Sequence, residues 1–430
     1  MRTLFILFGT CFVLTLPSKA QFKNILLDDK YLGYNPCEPS ITINYKNPNN
    51  IVGGAVLDKV YVSEDGGNTW KMSRIKSSYG VFGDPCLVSD RKGNLYYFHL
   101  ANPKNPERKD SWLDRIVCQV SKDGGKTWSD GSYMGLLPPK DQDKEWAVAH
   151  PKKNRIYASW TQFDKYDSKE SQDVTNILFS YSKDKGKSWA PAVRINELSG
   201  NCLDDDGTVE GAVPSVGPKG EIYVAWALNE KIYFDKSTDG GKTWLDKDIV
   251  AATQPGGWTI NIPGLNRSNG MPVTAVDLSK GPHRGTVYIN WADQRNGEDD
   301  TDIFLAKSTD GGMTWSNPLR VNNDAAGKHQ FLTWMSVDPK TGKIYIVFYD
   351  RRDHEGEETD VYLAWSDDGG ANFTNVKISE KPFTPTVGTF FGDYNDIDAF
   401  DGTIVPIWTR MDQGRTSVYT TVIKEEQLKK

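Results

Sequence analysis

Six copies of one short motif run down the chain and constrain its architecture more than any other feature. They are Ser63-Glu-Asp-Gly-Gly-Asn-Thr-Trp70, Ser121-Lys-Asp-Gly-Gly-Lys-Thr-Trp128, Ser182-Lys-Asp-Lys-Gly-Lys-Ser-Trp189, Ser237-Thr-Asp-Gly-Gly-Lys-Thr-Trp244, Ser308-Thr-Asp-Gly-Gly-Met-Thr-Trp315 and Ser366-Asp-Asp-Gly-Gly-Ala-Asn-Phe373. Each is flanked by strand-like apolar residues. The Asp side chain is suited to binding turn amides, and a Gly supplies the positive φ of a tight turn. The Thr and the closing aromatic then re-enter a strand. Recurrence every ~55–70 residues predicts an array of like sheet units.

A second signal counts seven units. Short strand openings recur at Glu38-Pro-Ser-Ile, Asp84-Pro-Cys-Leu, Glu145-Trp-Ala-Val, Val213-Pro-Ser-Val, Met271-Pro-Val-Thr, Thr333-Trp-Met-Ser and Asp393-Tyr-Asn-Asp. Most are followed by a second strand ending in an aromatic, such as Tyr157-Ala-Ser-Trp160 or Tyr288-Ile-Asn-Trp291. The last unit has no room for a fourth strand, so the segment near Asn24–Leu27 is expected to supply it and remove an exposed sheet edge. The expected fold is all-β, a seven-bladed β-propeller closed by the N-terminal strand.

Composition agrees and narrows the function. The chain has 430 residues, 14 Trp and a net charge of −6. An acidic chain without a basic tract argues against nucleic acid as a partner. Residues 1–20 read as a secretory signal, with a basic residue, an apolar stretch and Ser18-Lys19-Ala20 before the cut. Residues 21–430 would then form one propeller domain, secreted or periplasmic, with no later segment long and apolar enough to span a bilayer. Four cysteines follow the leader, and Cys37 and Cys86, which open adjacent units, are the expected bridge in an oxidising compartment.

The turns resemble the Asp-box repeats of sialidase-like propellers. In that family the boxes are structural, and they lie on the face opposite the usual active site. The resemblance therefore implies a ligand face carrying the strand openings and the loops after the second strands. The openings Asp393, Glu38, Asp84 and Glu145 would form an acidic arc there. Such an arc fits a calcium-type oxygen site, a catalytic acid, or plain hydrogen bonding between blades. Arg295, Arg352 and Arg410 fall on the other arc. They suit an anion pocket, while the repeated Asp293-Gln-Arg295 and Asp350-Arg351-Arg352 spacing equally suits structural ion pairs. Of the five histidines, His150 and His283 fall in turns of the far face, and His329 and His354 in loops. His99 ends a second strand at the mouth, either as a general base or as a packed ring. Tyr349, Tyr394 and Tyr166 are expected nearby as acids or substrate contacts. Trp112, Trp258 and Phe391 are candidates for stacking on sugar rings.

True sialidases carry an arginine motif near the first strand, where this chain has Asn35-Pro-Cys-Glu38. Seven-bladed ulvan lyases and a related rhamnosidase family look more similar. By position rather than by matching motif, that resemblance implies catalytic roles for His99, Tyr349, Arg295 and Arg352 in β-elimination on a uronate-containing, anionic glycan. Arg would bind the carboxylate, and His or Tyr would remove the C5 proton. A glycoside hydrolase using two mouth carboxylates, such as Asp84 and Glu145, and a non-catalytic glycan-binding propeller remain alternatives.

Overall fold

In the computed structural model, which describes residues 22–30, 34–102 and 113–428, the strands form seven antiparallel sheets. Six are simple four-strand meanders. Blade 1 comprises Ser40–Ile43, Ile51–Ala55, Lys59–Ser63 and Lys71–Arg74; blade 3 comprises Asp141–Ala149, Ile156–Phe163, Thr175–Ser182 and Val193–Arg194. Blade 7 takes three strands from the C-terminal part, Asp396–Phe400, Thr403–Asp412 and Arg415–Thr420, and its outer strand Ile25–Asp28 from the other end of the chain. The joining ladder pairs Ile25 with Thr420 and Leu26 with Tyr419. The innermost strand of each blade touches that of the next, and the blade 1 strand touches that of blade 7, so the ring is closed. The seven-bladed propeller and its closing N-terminal strand are as the repeats predict. The expected leader, residues 1–20, lies outside the described residues.

All six boxes form the same turn. In the first, the Ser63 hydroxyl donates to Asp65 (2.9 Å) and accepts the Gly67 N–H (2.8 Å). Asp65 also accepts the Thr69 N–H (2.9 Å) and hydroxyl (2.6 Å), and Trp70 Nε1 donates to the Gly67 carbonyl (3.0 Å). These bonds favour the ionised carboxylate and hold Asp65 down at about 2. The glycine at the fifth position of each box does something further: it lets one blade approach the one before it. A Cβ on Gly241 would lie 2.2 Å from Phe179 of blade 3, and one on Gly312 would lie 2.1 Å from Phe234 of blade 4. At Gly67 the obstacle is Val422, at 2.3 Å, from the last part of the chain. The boxes therefore set the spacing of blades around the circle.

Turns between first and second strands share the box end of each blade. The strand openings and the inter-blade loops share the other end, the mouth. Here the ladders correct the expected register. Ser40 pairs with Gly54, Cys86 with Phe98, Trp146 with Ser159 and Asp396 with Ile407, which makes these four residues equivalent. Two positions earlier stand Glu38, Asp84, Lys144 and Tyr394, not the expected series of four acids. In blade 3, Trp146 aligns with Cys86, so Glu145 aligns with Pro85 and Lys144 occupies the opening. Glu38, Asp84 and Lys144 share the left-handed conformation, with φ of 50°, 50° and 53°. A repeated backbone setting thus brings two carboxylates and one ammonium to the same level of the mouth.

Because the glycine of the box abuts a neighbouring ring and holds a φ of 87°, Gly312→Ala is expected to cost about 2 kcal/mol or more. The melting temperature should fall by several degrees with the circular-dichroism spectrum retained; an unchanged melting temperature would show that the blades have slack.

Candidate active site

Seven carboxyl groups and two cations meet at the mouth. Lys144 Nζ lies 2.7 Å from Asp393 and 3.7 Å from Asp84. Arg267 lies 2.8 Å from Asp393 and 2.6 Å from Asp204. Glu38 accepts the backbone N–H of Asp393 (3.1 Å), and the Tyr166 hydroxyl donates to Asp204 (2.7 Å). Asp143, Glu145 and Glu210 complete the group, and each interacts electrostatically with Lys144.

Arg267 arrives on an inter-blade loop, residues 254–270, that straps the mouth. Asn269 donates to the Asp393 carbonyl (2.7 Å) on blade 7, and Arg351 of blade 6 donates to the Pro263 carbonyl (2.8 Å). The strap is pinned at its start by Trp258 Nε1 to the Thr208 carbonyl (3.2 Å) and by the Thr259 N–H to Asp206 (2.7 Å). Gly257 is required there, because a Cβ would lie 2.1 Å from the Asp206 carboxyl. The strap explains why the acids below it are buried, while the Arg267 side chain keeps 30% of its exposure.

Burial and two cations divide the acids into two kinds. Asp393, gripped by Arg267 and Lys144, is held below the usual carboxylate range despite its burial. Burial raises Glu38, Glu145 and Glu210 well above it, and mutual repulsion among the acids adds to this. Burial pushes Asp143 up to about 7, and Asp84 is raised for the same reason. Both carboxyl oxygens of Glu145 and of Glu210 are buried without a hydrogen-bond partner, as are Asp84 Oδ2 and Arg267 Nη2. Below the acids, Trp146, Trp334 and Tyr394 from blades 3, 6 and 7 meet across the axis with centroids 5.5–6.0 Å apart. These three rings floor the mouth.

Of the expected site residues, Glu38, Asp84, Glu145, Asp393, Tyr166 and Tyr394 come together. The calcium-type reading of the four acids does not hold. Lys144 and Arg267 occupy the charge-balancing role, and among the described residues no group of three or more His, Cys, Asp or Glu has a metal-holding arrangement. Lys144, Arg267, Asp143, Asp204 and Glu210 were not anticipated. Glu145-Trp146, which imitates the acid-Pro openings one residue out of register, hid the first, and the strap that carries Arg267 has no strand periodicity to place it.

The other candidates take structural roles. His99 is fully buried; its Nδ1 donates to the Leu100 carbonyl (2.8 Å), and burial lowers it to about 4. Tyr349 is also fully buried, its hydroxyl bonded to the Thr409 carbonyl (2.8 Å) and N–H (3.0 Å) of the next blade. Arg295 pairs with Asp293 and lies 4.1 Å over the Phe304 ring. Arg352 pairs with Asp350 (2.6 Å) and bonds Asn323 and Asn375. Arg410 pairs with Asp412 (2.6 Å). The repeated Asp–Arg spacing therefore marks architecture. Trp258 and Phe391 are almost fully buried and offer no platform for a sugar. Trp112 lies outside the described residues. Cys37 and Cys86 are separate, buried thiols, not a bridge, as are Cys118 and Cys202.

Residues 119–130, which span the second box, match the BNR/Asp-box repeat. The chain is similar to a sialidase of Bacteroides fragilis, 24% identical over 305 residues, covering 65% of this chain and 52% of the relative. It thus spans about half the length of that relative. Among solved structures, the NanB sialidase of Streptococcus pneumoniae has a TM-score of 0.53 at 10% identity, over 88% of this chain and 84% of that one. A protein of unknown function from Dyadobacter fermentans has a TM-score of 0.52 at 13% identity, over 95% and 100%. A GH93 alpha-L-arabinofuranosidase of Fusarium graminearum has a TM-score of 0.50 at 13% identity, over 95% and 99%. At these identities the structures establish the fold alone, a β-propeller.

Three outcomes follow from the site. Lys144→Met leaves Asp393 buried with one counter-charge fewer and is expected to cost about 3–5 kcal/mol in urea unfolding. A chelator should leave the melting temperature unchanged, since lysine and arginine supply the positive charge; a drop would reveal a bound cation. His99→Ala should lower stability by about 2–4 kcal/mol without affecting the mouth, and a stable but altered mouth would contradict its packing role.

Proposed function

We propose that the protein is a glycoside hydrolase whose reaction takes place among the mouth carboxyls. The observation that carries this reading is the pairing, within one site, of a carboxylate gripped by two cations with buried, largely unpartnered carboxyls whose pKa burial raises. Glycosidic cleavage needs both kinds: an acid to protonate the departing oxygen and a carboxylate to stabilise positive charge at the anomeric carbon or to assist its attack. In this reading Glu145 and Asp84 are the acid candidates, and Asp393 is the ionised partner. Arg267, with its unpartnered Nη2 and its exposed edge, receives a substrate hydroxyl or carboxylate as the sugar enters past the strap. The similarity to enzymes named as a sialidase and an arabinofuranosidase supports a carbohydrate substrate. Elimination has less support, because the base and arginines it would use are buried or committed to ion pairs within their own blades.

The test is a panel of chromogenic glycosides and anionic oligosaccharides. Glu145→Gln and Asp84→Asn should each lower kcat by about 100-fold or more while the melting temperature stays within a few degrees. Turnover should also depend on pH in a defined direction. An acid with a raised pKa keeps its proton below that value and loses it above, so activity should be present on the acidic side and fall as pH rises through the raised pKa of Glu145 or Asp84, above the ordinary carboxylate range. Product with ultraviolet absorbance of an unsaturated uronate would overturn hydrolysis in favour of elimination. No product from any glycoside would favour a binding protein.

A further inference from the structure

The other end of the bore holds a second cavity, of about 1090 Å³, which the mouth chemistry does not use. It opens among the turns that join first and second strands, on the Asp-box face. The same Trp146 and Trp334 rings that floor the mouth form its inner end. Its wall is more apolar than polar: inner-strand residues such as Val148, Ala275 and Met335 alternate with hydroxyl residues such as Thr42, Ser215 and Thr274. Its rim is cationic: Arg91 comes from blade 2, Lys152 from blade 3, Lys280 and Arg284 from blade 5, and Lys340 from blade 6. All five rim side chains are exposed, and no carboxylate forms an ion pair with any of them among the described residues.

Two buried polar groups on the wall lack partners. His150 is 4% exposed, and its Nδ1 accepts the backbone N–H groups of Lys152 (3.0 Å) and Lys153 (3.2 Å). Burial and the neighbouring cations lower the ring to about 4, so it is neutral and its proton sits on Nε2. That Nε2–H has no partner, and neither does Thr274 Oγ1, also 4% exposed. The acids on the wall, Asp396 and Asp398, are internally committed. Asp396 accepts from Ser40 and the Ile41 N–H (both 2.8 Å), and Asp398 from Thr42 (3.2 Å) and the Ile43 N–H (2.8 Å). A mainly apolar chamber with unfilled donors and a ring of unpaired cations at its opening is suited to a ligand with an apolar body and one anionic end.

We propose that this chamber is a second binding site, for an amphipathic organic anion: a carboxylate or sulfonate carried on an aromatic or aliphatic body. The body lies against the wall and the indole rings, and the anionic end meets the cationic rim. Anilinonaphthalene sulfonate is the probe, with uncharged phenylnaphthylamine as its control, each titrated by fluorescence against the intact protein. Saturable one-to-one binding of the sulfonate is expected. Lys280→Glu combined with Arg284→Glu should weaken it at least 10-fold, as should raising the salt concentration. Because Arg284 also donates to the Leu278 and Ser279 carbonyls of its own turn, a thermal melt accompanies the titration, and Lys280→Glu alone, at an exposed side chain, should weaken binding in the same direction. Glu145→Gln at the mouth should leave the sulfonate affinity unchanged, which separates this site from the proposed catalytic one. Non-saturable binding, equal affinity for the uncharged control, or affinity indifferent to the charge reversals would overturn the proposal.

Discussion

The contact on which the rest of the mouth depends is the buried meeting of Lys144 with Asp393. It joins blade 3 to blade 7 across the ring, and it lets seven carboxyl groups share a space that repulsion would otherwise forbid. Arg267 reinforces it from the strap. With only two cations for seven acids, charge neutrality cannot be reached by pairing, and burial and mutual repulsion push Glu38, Asp84, Asp143, Glu145 and Glu210 toward the protonated form. One arrangement thus stabilises the ring and sorts its acids into donors and acceptors of protons. Structure and chemistry are hard to separate at this site for that reason.

The fold was legible because its signals are local. Each box closes its Ser and Asp hydrogen bonds within eight residues, and second-strand aromatics such as Tyr157 and Tyr223 stack on the third strand of their own blade. Seven openings against six boxes were enough to foresee a last blade completed by the other end of the chain. The site was legible only in part. Glu38 and Asp84 precede prolines that anchor their register, and they were placed correctly. Lys144 was missed because Glu145-Trp146 imitates the acid-Pro openings one residue out of register, and one residue changes the chemistry at the opening from carboxylate to ammonium.

The misread residues share a cause. His99, Tyr349, Arg295 and Arg352 were assigned by position along a strand, and position does not say which way a side chain faces or what already binds it. Tyr349 is consumed by the next blade's backbone. The arginines are consumed by the Asp two or fewer residues before them and by a ring beneath. A repeated pair such as Asp293 with Arg295 and Asp350 with Arg352 is the mark of a fastening element, since a binding site in one ring has no reason to recur in two blades. Arg267, by contrast, sits in a loop with no counterpart in other blades, and it is the arginine that reaches the acids.

The mixed seventh blade has a mechanical consequence. Ile25 faces Thr420 in an antiparallel ladder, so both chain ends leave that ladder on the same side. Tension applied between them would load its hydrogen bonds one at a time, as when a zipper is drawn, instead of shearing the row together. On the C-terminal side, the pairing of Ile423 and Lys424 with Ile404 and Thr403 must yield before the seam is loaded. Whatever tether holds either end in place would decide how easily the circle springs open.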